Sequence, residues 1–127
     1  MKYLLDTHAI IWFFESSPNF PIKTKEIIVA RENSTHVSTV SLWEIAIKVN
    51  LGKLKLRSTF GELLGKVKNS AIEVMQIEDE YLKKLSALPS IHKDPFDRLM
   101  IATALVENLT IVTADSDIQK YDVPWIW

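Results

Sequence analysis

Apolar residues follow two rhythms along this chain. The short runs Tyr3-Leu4-Leu5, His36–Val40, Ile72–Ile77 and Thr110–Thr113 are too brief for helices, so they predict strands. Each is followed by a segment with apolar residues three to four apart, and that alternation predicts a parallel α/β sheet. The clearest helix follows the third run, where Ile77, Tyr81, Leu85 and Leu88 mark one face before Pro89 stops it. Glu78, Glu80, Lys83 and Lys84 mark the other face. A second helix is announced by Asp94-Pro95, a capping side chain followed by proline at the first helical position. From Phe96 to Val106 it is apolar on nearly every side, with Asp97 and Arg98 as exceptions, as suits a helix laid deep against a sheet. Ser16-Ser17-Pro18 and Pro21 predict a loop, and Trp125 and Trp127 a terminal strand whose aromatics lie against neighbouring helices.

In a parallel sheet the crossovers bring every strand's C-terminal end to one edge, where ligand sites form. Asp6 closes the first strand and Asp115 follows the fourth, so both belong on that edge. Each also has a plainer explanation as the cap of the next helix. Glu44 is the lone acid of the apolar stretch from Ser41 to Ile47 just after the second strand, and is either half-buried or a surface partner of Lys48 at i,i+4 spacing. Asp97 shares a helix face with Ile101 and Ala104, where an acid needs a partner, unless it merely joins Asp94 in capping the turn.

Were the four to meet, carboxylates within ~4–6 Å would raise one another's pKa unless a cation intervened. Oxygen ligands, with no cysteine and no paired histidines, favour Mg²⁺ or Mn²⁺ over Zn²⁺. The formal charge of −1 gives no general attraction to a polyanion, so nucleic acid would need a local basic patch or bound cations. A length of 127 residues, 47% hydrophobic, suits one folded domain over residues 1–127 and argues against disorder. Zero cysteines fit a reducing compartment, and cytoplasm is the expectation. Asp6 interrupts the N-terminal apolar stretch, and no uncharged run approaches the ~20 residues of a bilayer span, so neither signal peptide nor membrane anchor is expected.

Four motifs in order, Leu4-Leu5-Asp6-Thr7-His8-Ala9, Trp43-Glu44-Ile45-Ala46-Ile47-Lys48, His92-Lys93-Asp94-Pro95-Phe96-Asp97-Arg98-Leu99 and Val112-Thr113-Ala114-Asp115, resemble PIN-domain ribonucleases, specifically VapC-type toxins of type II toxin–antitoxin systems. The likeness extends to the closing Tyr121-Asp122-Val123-Pro124-Trp125-Ile126-Trp127. It implies a three-layer α/β/α fold with a central parallel sheet of four to five strands. It further implies Asp6, Glu44, Asp97 and Asp115 as the catalytic and metal-binding acids for one or two Mg²⁺ or Mn²⁺ ions, an RNA substrate, and cleavage leaving a 5′-phosphate and a 3′-hydroxyl. A homodimer and a cognate antitoxin whose tail covers the acids are likewise implied.

Supporting roles fall to Thr7 and Thr113, which flank strand-end acids, and to Asp94 and Asp117, which compete with Asp97 and Asp115 for the ligand role. Generic turn capping explains the threonines equally well. His8 and His92 could carry protons, but a divalent ion that activates water removes the need for an imidazole base, so neither enters the core site. The most basic stretch holds Lys48, Lys53, Lys55, Arg57, Lys66 and Lys68 against Glu62 alone, and could guide RNA or simply face solvent. Arg98 is a candidate for phosphate contact or for orienting a carboxylate. Trp12, Phe13, Phe14 and Trp43 could stack bases, but suit a core or dimer face better. Two rivals stand beside the nuclease: a non-catalytic protein-binding module of the same fold, and an aspartyl phosphotransfer module using Asp6. The second rival lacks the usual acid two residues on, where His8 stands.

Overall fold

The computed structural model describes residues 1–127. Its strands are β1 (Lys2–Leu5), β2 (Ser34–Ser38), β3 (Glu73–Met75), β4 (Thr110–Val112) and β5 (Trp125–Ile126). Between them run α1 (Thr7–Phe14), α2 (Ile22–Val29), α3 (Thr39–Asn50), α4 (Phe60–Lys68), α5 (Asp79–Ser86), α6 (Pro95–Glu107) and α7 (Ser116–Gln119). All strand pairs are parallel, in the spatial order β3-β2-β1-β4-β5. The first three strands build outward in one direction and the last two in the other, so the order reverses between β1 and β4.

The two-residue period of β1 separates the cores. Tyr3 and Leu5 join Val37 and Val112 on one face, where Ala9, Ile10 and Ile11 of α1, Ile28 of α2, Ile45 of α3 and Leu63 and Val67 of α4 cover them. Leu4 and Ile111 point the other way, onto Met100, Ile101 and Ala104 of α6 and Ile118 of α7. Helices on both faces make the expected three layers, and both faces of the central strands are dry. A smaller cluster of Val40, Tyr81 and Leu99 ties α3 and α5 to α6. Trp127 closes the first face at the far edge, its ring 5.6 Å from Trp12 and 5.4 Å from Phe20. Of the two roles expected of Trp43, core or dimer face, it does not take the core one: it is 56% exposed and meets Phe96 edge-on at the surface.

The second strand lies two residues earlier than the expected 36–40. Ser38 takes the extended cap conformation and its hydroxyl accepts from the Val40 N–H at 3.1 Å, so α3 has begun at Thr39. β3 is three residues rather than six, as an edge strand pairing only with β2. Asp94 caps α6 as the sequence predicts, accepting from the Asp97 N–H at 3.0 Å, with Pro95 in the first turn. That helix ends on Asn108 in the left-handed region, φ 56°, a conformation asparagine tolerates. No helix is long and apolar enough to cross a membrane.

Candidate active site

Strand order selects the place. The point where it reverses opens between the C-terminal ends of β1 and β4, and the Asp6 N–H bonds the Val112 carbonyl across it at 3.1 Å. Asp6 is 4% exposed and caps α1 by accepting from the Ala9 N–H at 2.7 Å. Asp115 caps α7 in the same manner, accepting from the Asp117 N–H at 2.8 Å. Both plainer explanations therefore hold, and neither removes the carboxylates from this edge. A shallow cavity of about 210 Å³ lies over them, lined by Asp6, His8, Trp12, Ala114 and Asp115. A larger one, about 440 Å³, lies by the beginnings of β2 and β3, near Ser34, Thr35 and Glu73, where these acids do not reach.

Glu44 arrives from α3 and is 3% exposed. Both its oxygens are engaged: the Thr7 hydroxyl donates to Oε1 at 2.6 Å and the Lys48 ammonium to Oε2 at 2.5 Å. The expected Lys48 pair exists, but with the acid buried rather than at the surface. Lys48 feels more than its partner, since its pKa is raised first by the Glu44 hydrogen bond and further by the charges of Glu44, Asp94 and Asp97.

Asp97, half-buried in the first turn of α6, carries the most disturbed carboxyl. Burial, then the charge of Asp94, then those of Glu44 and Asp115 push it up to about 7, against the pull of a hydrogen bond from His92. The Asp6 carboxyl is also raised, chiefly by burial and secondarily by Asp115, against hydrogen bonds from Thr113 and Ala9 and the charge of His8. Acids from four separate segments therefore lie within one another's field. They do not converge on a single point: no three His, Asp or Glu side chains stand together as a ready cage for an ion. The donor chemistry nonetheless suits a hard divalent cation, because crowded carboxylates with one disturbed to near neutrality are what such a charge relieves.

The remaining candidates divide. Thr7 bonds Glu44 rather than the adjacent Asp6, and the Thr113 hydroxyl accepts from the Asp115 N–H at 2.9 Å while steadying Asp6. Asp94 is committed to its cap, and Asp117 pairs with Lys120 at 3.1 Å. Lys53 is exposed. Arg98 does not reach a carboxylate; its Nη1 donates to the Pro89 and His92 carbonyls at 2.8 and 3.3 Å and to the Tyr121 hydroxyl at 2.9 Å. Sequence reasoning set His92 aside and never weighed Tyr121, yet His92 Nε2 lies 3.2 Å from Asp97 Oδ2 and its Nδ1 2.7 Å from the Tyr121 hydroxyl. His92 precedes Asp97 by five residues and could have been suspected; Tyr121 enters the sequence reading only as the start of the closing motif, with no sign of this contact.

Comparison with solved structures places the chain beside several complexes. It is similar to VapBC2 from Rickettsia felis, solved bound to a promoter DNA fragment, with 18% identity, 99% of this chain and 98% of that one covered, and a TM-score of 0.74. DNA-bound VapBC from Salmonella typhimurium gives 16% identity, 99% and 97% coverage and a TM-score of 0.70. A toxin–antitoxin complex from Klebsiella pneumoniae gives 16%, 98% and 96%, and 0.65. These likenesses carry the fold. No curated protein matches the chain. The PIN domain model matches residues 3–124, nearly the whole sequence, and the chain belongs to the PIN domain family.

Proposed function

We propose that the chain is a divalent-metal-dependent endoribonuclease and the toxin of a toxin–antitoxin pair. The observation carrying this proposal is the gathering of Asp6, Glu44, Asp97 and Asp115, from four segments far apart in sequence, into one electrostatically coupled patch at the switch point of the sheet. Asp6, Glu44, Asp97 and Asp115 would hold Mg²⁺ or Mn²⁺ there, which would supply a Lewis acid for the phosphate and lower the pKa of an attacking water.

The chain's own residues place the oxygens. Asp6 and Asp115 stand on neighbouring strand ends whose relation the backbone fixes, while α3 and α6 bring Glu44 and Asp97. Thr7 orients one oxygen of Glu44, and Lys48 sets a positive charge against the acids, beside which a phosphodiester can approach. Lys53, Lys55, Lys66 and Lys68 are exposed and would guide RNA to an otherwise repulsive patch. In-line attack by a water oxygen on phosphorus breaks the bond to the 3′ oxygen; the water gives up one proton and the 3′ oxygen takes one up, leaving a 5′-phosphate and a 3′-hydroxyl.

The fold-level likeness to VapBC complexes supports a cognate antitoxin as partner, and a homodimer belongs to the same proposal. The test is cleavage of cellular RNA by purified protein with Mg²⁺ or Mn²⁺, alongside Asp6→Asn and Asp97→Asn, with the cut ends sequenced. Cleavage should vanish on chelation and fall at least ~10²-fold in each variant. Undiminished cutting by both variants would refute the assignments. A folded protein that binds neither ion at millimolar concentration would point to the binding module instead.

A further inference from the structure

Beside the acids, the loop between α5 and α6 meets the segment that follows α7 in a run of side-chain hydrogen bonds. Tyr121 is buried, and its hydroxyl oxygen receives the Arg98 Nη1 hydrogen at 2.9 Å and the His92 backbone N–H at 3.4 Å. A phenol has one proton to give. With N–H donors on its oxygen, the acceptor left for that proton is His92 Nδ1, 2.7 Å away. Nδ1 is then the bare nitrogen of the ring and Nε2 the protonated one, donating to Asp97 Oδ2 at 3.2 Å. The opposite tautomer would press a further N–H against an oxygen already receiving donors. The opposite tautomer would also turn a lone pair toward the carboxylate. Arg98 fixes the frame of this arrangement, since the same Nη1 holds the Pro89 and His92 carbonyls of the loop.

We propose that Arg98, Tyr121 and His92 form a positioning chain that locks His92 in its Nε2–H tautomer and so aims the Asp97 carboxylate at the divalent ion. The Nε2–H donor orients the ligand oxygen, as hydrogen-bond partners behind metal-binding carboxylates do elsewhere. The purpose of the chain rests on the nuclease proposal; the tautomer does not. The chain also explains why the loop after Pro89 is held although it lacks regular structure.

The test has two arms. Nitrogen-15 spectra of the metal-free protein at pH 7.5 should show His92 with a pyridine-like Nδ1 and a protonated Nε2, a bias that Tyr121→Phe abolishes. Calorimetry with Mn²⁺ should show binding weakened about tenfold in Tyr121→Phe and about 10–100-fold in His92→Ala. His92→Gln, whose amide can still donate to Asp97, should stay within a few-fold of the parent. Thermal midpoints recorded in parallel separate loss of aim from loss of fold. A protonated Nδ1, or equal losses in His92→Ala and His92→Gln, would overturn the positioning chain even in a protein that binds Mn²⁺ normally. The expected tautomer in a parent protein that binds no Mn²⁺ would instead overturn the metal site, and the role of the chain with it.

Discussion

Glu44 and Asp97 reach the same patch from opposite helices, yet the protein treats them differently. Glu44 is the more deeply buried, and it is answered at once by an ammonium and a hydroxyl. Asp97 is less buried but is held by an imidazole, in the field of Asp94, Glu44 and Asp115, and its carboxyl is pushed up to about 7. At Asp97 burial acts first and like-signed neighbours add to it, whereas the neighbours that touch Glu44 are an ammonium and a hydroxyl. Glu44 carries its counter-ion within the chain, and Asp97 is the place where the fold leaves negative charge for something else to balance.

Catalysis should break this symmetry most sharply. Asp97→Asn is expected to lower metal-dependent RNA cleavage by about 10³-fold, while raising the thermal midpoint of the metal-free protein at pH 8, because it removes one charge from a crowd of like charges. Activity and stability falling together would show that Asp97 is structural. Lys48→Met tests the other half. Stripped of its ammonium, Glu44 stays buried with only Thr7, and unfolding in urea should register a loss of about 1–3 kcal/mol without metal. Added Mn²⁺ should recover part of that loss, and no recovery would mean that the ion does not reach Glu44.

The smallest effect is on pH dependence. The folded Asp97 carboxyl titrates above its unfolded value of 3.8, so the folded state holds a proton that the unfolded chain has released. Its contribution is complete below about 4 and disappears as pH rises through about 7. The midpoint of metal-free protein should thus drift down between pH 5 and pH 8, and saturating Mn²⁺ should flatten the drift by holding Asp97 ionised. A midpoint that climbs over that range would contradict the crowding at Asp97.

Much of this was written locally. Asp94-Pro95 gave the start of α6 outright, and strand-end placement put Asp6 and Asp115 on the edge where β1 and β4 end. The end of β2 misled because Thr39 and Val40 are β-branched and extend an apolar run, while the Ser38 hydroxyl that starts the helix outweighs their preference. The cap of α4 was legible in Thr59-Phe60-Gly61-Glu62, whose Thr59 accepts from the Glu62 N–H at 3.1 Å, but the lysines around it drew attention to charge instead. The partnership of His92 with Tyr121 could not be read from order alone, because 29 residues separate them and only the packing of α6 and α7 on one face of the sheet closes the gap.

The bond from the Asp6 N–H to the Val112 carbonyl acts as a ruler. Since the spacing of adjacent strands is a property of the peptide group, ~4.8 Å in any parallel sheet, the gap between these two strand ends is insulated from sequence drift. Solved structures sharing fewer than one residue in five with this chain share its fold. Adaptation is then left to the helix-borne pair, which can shift with the packing beneath it.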